Sequence, residues 1–526
     1  MKTINDFLKD GPLQAVSVTR RSMQQIVGQI LPPLMAANAA DPVLFRYGGS
    51  PVWVELDDAG RPTFRSITQD RMRHILARTF SWHRYNKKGD QVPTNPPLEV
   101  VRDLLASPNI DLPVVEGIVS VPIFAPDGTL QLEPGYNPAT RRVYLPGDRL
   151  DALRPVSVNP GRGEIGEALA LIEEFLDDFP FVHYGKTHTV AALLVPFVRP
   201  MIIGPTPLHL IEKPKAGTGA TLLAQVICDI CLGYPVAALT EAKCADEFSR
   251  KIHSKLLGGP AAILLDNLRQ HLDSAALAGA LTGDFFEDRV VQRSATASAP
   301  IRCLWLGTAN NPSLSSEMAR RTIPIRMDAR MEQPHLRTDF AYPNLREAVA
   351  ENHALLVWAV LTLVRAWLAA GRPKGKRKLG MYESYSEIIG GILEVAGVPG
   401  FLDIAQQQAT LEDDQSNLAP LIPLWRREFQ FRTVGVKELL PHCVEINLGG
   451  DGEISRSIKL GKLLRDNRDR VFGDVVIVEA GMRAGSNLWR LAPADERPRA
   501  GGLDGEPVPA EGSGGVGGVF SPLKKK

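Results

Sequence analysis

The sequence predicts an α/β fold built on a parallel sheet, and three observations predict it. Between residues 161 and 345, apolar strand-like runs ("LHLIE", "AAILLDN", "CLWLGTANN") alternate with helix-like stretches. The first run enters a Gly-rich loop, "KPKAGTG", which opens directly into an apolar helix, "TLLAQVICDICLG". The composition, 44% hydrophobic and 23% charged over 526 residues, is that of a globular chain with packed cores. A chain of that length holds about three or four domains.

Residues 1–160 read as a mixed α+β domain. "VLFRYGGSPVWVELDDAGRPTFRSIT" alternates apolar and polar residues between Gly and Asp turns, which predicts a small antiparallel sheet. "VSVPIFAPDGTLQLEPGYNPATRRVYLP" repeats the pattern around an Asp127–Gly128 turn. The helix between them, around Gln69 to Phe80, carries Arg71, Arg73 and Arg78, either as a solvated face or as phosphate contacts. Residues 161–345 form the α/β core, and residues 346–410 are helical. There "ALLVWAVLTLV" ends at Arg365, short of the roughly 20 residues a membrane span needs, and reads as a buried helix. Residues 411–493 form a further small module. Residues 494–526 are Gly/Pro-rich, poor in large apolar side chains and expected to be disordered.

The totals narrow the partners and the compartment. Net charge is +1, so any nucleic-acid surface must be a local patch. Five cysteines, an odd and sparse set, point to a reducing cytoplasm rather than a disulfide scaffold. Cys228 and Cys231 form a C-x-x-C with no second pair, which reads as buried helix surface. The N-terminus, "MKTINDFLKDGPLQ", has no apolar core of the signal-peptide kind. The expected setting is cytoplasmic, with no membrane.

A phosphate-binding loop needs a strand, a Gly-rich turn with converging N–H groups, and a helix N-terminus. "LHLIE", "KPKAGTG" and the helix from Thr221 supply them in order. Gly217, Thr218 and Gly219 would wrap the phosphates, and Thr221 stands where a hydroxyl binds Mg2+. Asp266 ends the next apolar strand, where a carboxylate reaches the magnesium shell. Asn310 ends "CLWLGTANN", where an amide orients the attacking water. Arg320 and Arg321 close a short helix before another strand, where a ring ATPase places the arginine that reaches a neighbour's phosphate.

This order resembles the ATPase module of the superfamily three helicases and their AAA+ relatives. It is most similar to primase–helicase ATPases of phages, plasmids and integrated elements. "DFPF", "PLHLIEKP", "GTANNPSLSSEMARRTIPIRMDA" and "ESYSEIIGGILEVAGVPGFL" carry the resemblance, from roughly Pro113 to Leu491, and "TANN…RR" is its most specific part. It implies a RecA/AAA+-like core, ATP and Mg2+ as cofactors, a homo-oligomeric ring of hexamer type, and single-stranded DNA in the channel. No primase catalytic segment is evident, so a separate primase is an expected partner. Three positions depart from the pattern. Ala220 replaces the phosphate lysine, Pro214 the first glycine, and Asn267 a second acid. Two readings follow. In one, Lys213 or Lys215 swings back to supply the cation, and Glu247, Asp284 or Glu287 supplies the acid. In the other, the site binds nucleotide without productive hydrolysis, and the chain is a DNA-binding initiator, regulator or scaffold.

Two regions are candidates for DNA. In the resembling helicases a hairpin before the third of these strands enters the channel. Here it would be "RVVQRSATASAP", with Arg289 and Arg293 on phosphates or, alternatively, paired with Asp284, Glu287 or Asp288. Residues 411–493 read as a winged helix. "TVGVKELLPHCVEI" gives a first helix, "ISRSIKLGKLLRDNRDRVF" a recognition helix, and "DVVIVEAGMRAGSNLWRLA" two strands around a Gly-rich wing. Lys459, Lys462, Arg465 and Arg468 on the helix and Arg483 at the wing suit duplex DNA. The same module also serves protein contacts.

Overall fold

The computed structural model describes Phe7 and residues 13–58, 60–107, 110–214, 217–242, 244–268, 271–289, 296–331, 333–338, 340–403, 418, 420–443, 452–468, 471–483 and 486–493. The chain divides into two compact units, Met1–Thr410 and Leu411–Lys526.

The first unit is a mixed α/β body around a five-stranded parallel sheet. Its strands are β1 (Leu208–Lys213), β2 (Leu239–Thr240), β3 (Ala262–Leu268), β4 (Leu304–Asn310) and β5 (Thr322–Arg326). Their spatial order is β2-β3-β4-β1-β5, and every pairing is parallel. β1 is therefore interior, in register with β4 from Leu208↔Trp305 to Lys213↔Asn310. Fully buried parallel strands are apolar on both sides, which is why "LHLIE", "AAILLDN" and "CLWLGTANN" lack polar alternation.

Two apolar cores sandwich this sheet. On one face lie α1 (Gly185–Val198), α2 (Ala220–Leu232), α4 (His353–Ala369) and α5 (Glu383–Ala396). On the other lie α3 (Ala245–Leu256), the helix Ala275–Thr282 and part of the N-terminal region. The apolar run Ala354–Val364 is inside α4 and nearly all of it is buried. Among the described residues no single helix is long and apolar enough to cross a membrane. Cys228 and Cys231 are both buried on α2.

The N-terminal segment forms the antiparallel meander Leu44–Tyr47, Ser50–Leu56 and Pro62–Ser66. Tyr47, Val52 and Phe64 of this meander join the second core of the main sheet. The Tyr47 hydroxyl donates to the Leu256 carbonyl at 2.7 Å, tying the meander to the end of α3. A third core, centred on Ile30, Ile75, Leu76 and Trp82, gathers the helices Met23–Ala40, Gln69–Thr79 and Leu98–Ala106.

The second unit has its own core around Trp425, Leu460, Leu464 and Trp489. Its helices are α6 (Leu421–Phe429), α7 (Val436–Leu439) and α8 (Glu453–Asp466). Its strands are β6 (Val434–Gly435), β7 (Val471–Phe472), β8 (Val475–Arg483) and β9 (Ser486–Pro493). They form an antiparallel sheet in the order β6-β9-β8-β7. Residues 494–526 lie outside the described residues.

Candidate functional site

The carboxyl ends of β1, β3 and β4 converge under the N-terminus of α2, and side-chain alternation decides what they present there. On β3, Ala262 and Leu264 pack in the first core and Ile263 and Leu265 in the second, so Asp266 faces α2. On β4, Leu304 and Leu306 belong to the first core and Trp305 to the second, which turns Thr308 and Asn310 the same way. On β1, Ile211 faces the first core and Leu208 and Leu210 the second. Lys213 thus shares the face of Asp266, and Glu212 takes the opposite one.

The loop between β1 and α2 turns on Gly217 (φ +85°) and Gly219 (φ +96°), left-handed positions that favour glycine. Gly219 is the N-cap of α2 and brings that helix's free N–H groups over the strand ends. Lys215 lies outside the described residues. Ala220 is fully buried in the first core, so its side chain is packing and no part of the open loop.

Asp266 is the hub. Its Oδ1 accepts from the Thr308 hydroxyl at 2.6 Å and from the Thr221 hydroxyl at 3.1 Å. Its Oδ2 has no hydrogen bond among the described residues. A register shift between Leu265 and Leu268 sets this geometry. Asn267 sits at φ +56°, and its N–H donates to Thr308 Oγ1 at 2.9 Å. Thr308 is therefore locked from both sides. No role for it was read from the sequence, although it stands two residues before Asn310 on a strand and hence on the same face. Asn310 Oδ1 is buried with no partner among the described residues. Next to it in register is Lys213, half-buried. Burial lowers the Lys213 pKa while the nearby Asp266 carboxylate opposes that shift. Asn311 braces the loop entry, with N–H to Lys213 O at 2.9 Å and Nδ2 to Pro214 O at 3.3 Å.

The donor set fits a hydrated divalent cation with a polyphosphate. It offers one carboxylate with a free oxygen, one hydroxyl in the first turn of a helix, an orphaned amide oxygen and an ammonium. Two cavities flank the loop. One, of about 250 Å³, is lined by Phe179, Gly217, Gly219, Leu222, Arg337 and Phe340. The other, of about 600 Å³, is lined by Glu212, Lys213, Pro214, Asn311, Arg326 and Arg330.

Glu212 carries no sequence signal, because burial rather than pattern makes it unusual. Its carboxylate pairs with Arg326 at 3.3 Å. Burial nevertheless outweighs Arg326 and pushes its pKa from an ordinary 4.5 up to about 7. The folded state then holds this proton more tightly than the unfolded state. Its stabilising contribution is complete below about pH 4.5 and is lost as pH rises through about 7. The expected result is that Glu212→Gln flattens the fall of stability between these values. Parallel pH–stability curves for variant and wild type, from chemical denaturation, would refute it.

The remaining candidates are dispersed. Arg321 is nearly buried and pairs with Glu317 at 3.1 Å, whereas Arg320 is exposed and its Nε donates to the Ser316 carbonyl at 3.2 Å. Arg320 is thus the arginine turned outward. Of the proposed substitute acids, Glu247 pairs with Lys251 at 3.2 Å and Asp284 with Arg302 at 3.0 Å. The ribbon Phe285–Arg289 and Thr296–Pro300 pairs antiparallel, with Arg289 closing its first strand. Asp288 on this ribbon accepts from Ser249 Oγ at 2.8 Å. Arg293, in the segment joining the two strands, lies outside the described residues.

In the second unit, Lys459, Lys462 and Arg465 are exposed on α8, and Arg483 is exposed near the end of β8. Arg468 is instead tied to Glu479 at 2.8 Å.

No family model matches the chain, and no curated protein matches it. Solved structures similar to it include two apo structures of the NrS-1 C-terminal region. One is 13% identical with a TM-score of 0.37, covering 84% of this chain and 96% of that one. The other is 12% identical with a TM-score of 0.38 and the same coverage, 84% and 96%. Likeness at that level transfers neither fold nor function.

Proposed function

We propose that the chain is a ring-forming, DNA-dependent ATPase of helicase-like type, serving replication of a phage, plasmid or integrated element in the cytoplasm. Its first unit would be a RecA/AAA+-like phosphate-loop core and its second a winged helix. The observation that carries this reading is Asp266 Oδ1 accepting from both Thr221 and Thr308 beneath the left-handed Gly219. Ligands of open parallel sheets bind at the carboxyl ends of the strands, which is where this cluster stands.

In this reading the N–H groups of Gly217, Thr218 and Gly219 and the α2 N-terminus hold the phosphates of ATP. Thr221 Oγ1 and Asp266 would hold Mg2+, which would offset the negative charge of the phosphates. Lys213 supplies the cation that Ala220 lacks. Asn310 Oδ1, beside Lys213 and without a partner among the described residues, accepts a hydrogen bond from the attacking water and orients it. Arg320, turned outward, completes the site of the next copy in the ring. Single-stranded DNA meets the ribbon that ends at Arg289, and duplex DNA meets α8. A separate primase is a further partner.

The deciding experiment is ATP turnover by the full chain with and without single-stranded DNA, with Asp266→Ala as control. Turnover that DNA stimulates and the control abolishes supports the motor. A second reading, a nucleotide-assembled DNA-binding initiator, is favoured by the fully buried Ala220 and by Asn267 in the acid's place. Tight ATP binding with no turnover would select it.

A further inference from the structure

The outward face of α8 carries more than charge. Its inner side is buried through Leu460 and Leu464. Its outer side presents Ile454, 80% exposed, and Ile458, 68% exposed. At helical spacing the same stripe continues into Lys462 and Arg465, both exposed and without an ion partner among the described residues. Among the described residues nothing covers these two large aliphatic side chains, and they stand in water side by side. Their position within a basic face points to a ligand that is anionic along its length and apolar at its reading surface.

Duplex DNA is such a ligand. Its phosphates meet lysine and arginine, and its major groove exposes the 5-methyl groups of thymine, the one apolar feature of the base edges. A helix entering that groove reads bases through its N-terminal turns, where Ile454 and Ile458 stand. Lys462 and Arg465 follow toward its C-terminal end. We infer that α8 recognises thymine methyl groups through Ile454 and Ile458, so that the chain prefers A·T-containing duplexes and does not merely hold phosphates. This rests on the reading of the second unit as a DNA-binding module.

The test measures affinity of the full chain for an alternating A·T duplex and for the same duplex with deoxyuridine replacing thymidine. The wild type is expected to bind the thymine duplex more tightly, by about fourfold for each methyl group buried. The double variant Ile454→Ala/Ile458→Ala is expected to bind both duplexes alike, and its exposed positions leave the core intact. Lys462→Ala/Arg465→Ala should weaken both duplexes equally and flatten the salt dependence. Equal wild-type affinity for the two duplexes overturns the inference and leaves DNA binding standing. A methyl preference that survives in the isoleucine variant also overturns it. No binding to either duplex overturns both readings.

Discussion

Replacing Lys213 by alanine is expected to weaken ATP binding by roughly 10- to 100-fold, the loss of one charge-assisted contact. The argument is positional. In the common loop pattern the cation sits at the start of the helix, where this chain has Ala220 packed into the core. Lys213 ends β1, directly beside Asn310 in register and on the face of Asp266. Its half-buried ammonium already sits in the field of the Asp266 carboxylate. A phosphate arriving above Thr221 would give it a second anionic neighbour. Lys215→Ala serves as the comparison and is expected to weaken binding less. Isothermal titration of ATP into the three proteins decides the matter. Equal affinity in all three would rule out a displaced lysine.

Asp266→Asn is expected to lower ATP turnover by about 100-fold or more while leaving the fold intact. The variant keeps an acceptor oxygen for the Thr221 and Thr308 hydroxyls, which now share Oδ1. What it removes is the negative charge that would hold Mg2+ in the proposed site. Asp266→Ala removes the acceptor as well, leaving two hydroxyls short of a partner, so it should also lower stability by about 1–3 kcal/mol. Turnover titrated against Mg2+ separates the two effects, because Asp266→Asn should need more metal to reach half its maximal rate. Unchanged turnover and unchanged metal dependence would remove Asp266 from the site.

Much of this was legible in the order of residues. The apolar runs that end in Lys213, Asp266 and Asn310 announce buried strands, and the glycines 217 and 219 announce a tight turn. A strand's two-residue period further places Thr308 and Asn310 on one face, since that information is local. The antiparallel meander at Leu44–Ser66 and the helix over Ala354–Val364 were readable for the same reason. The arrangement of strands was not. Backbone hydrogen bonds pair strands with little regard to side-chain identity, so the pattern that reveals β1 does not name its neighbours. Only the folded sheet, with β1 between β4 and β5, puts Lys213 beside Asn310.

Burial was likewise undecided until the chain packed. Glu212 and Lys213 are adjacent charged residues in the sequence, yet one is buried against Arg326 and the other faces Asp266. Arg320 and Arg321 are interchangeable in the sequence, and Glu317 separates them by holding the second. Ile454, Ile458, Leu460 and Leu464 are alike as apolar residues of α8, and packing buries the two leucines and leaves the two isoleucines exposed. The sequence by itself determined which segments form strands, turns and helices, because those depend on neighbours a few residues away. Tertiary structure decided which faces meet and which charges share a site, because those depend on contacts between residues far apart in the chain.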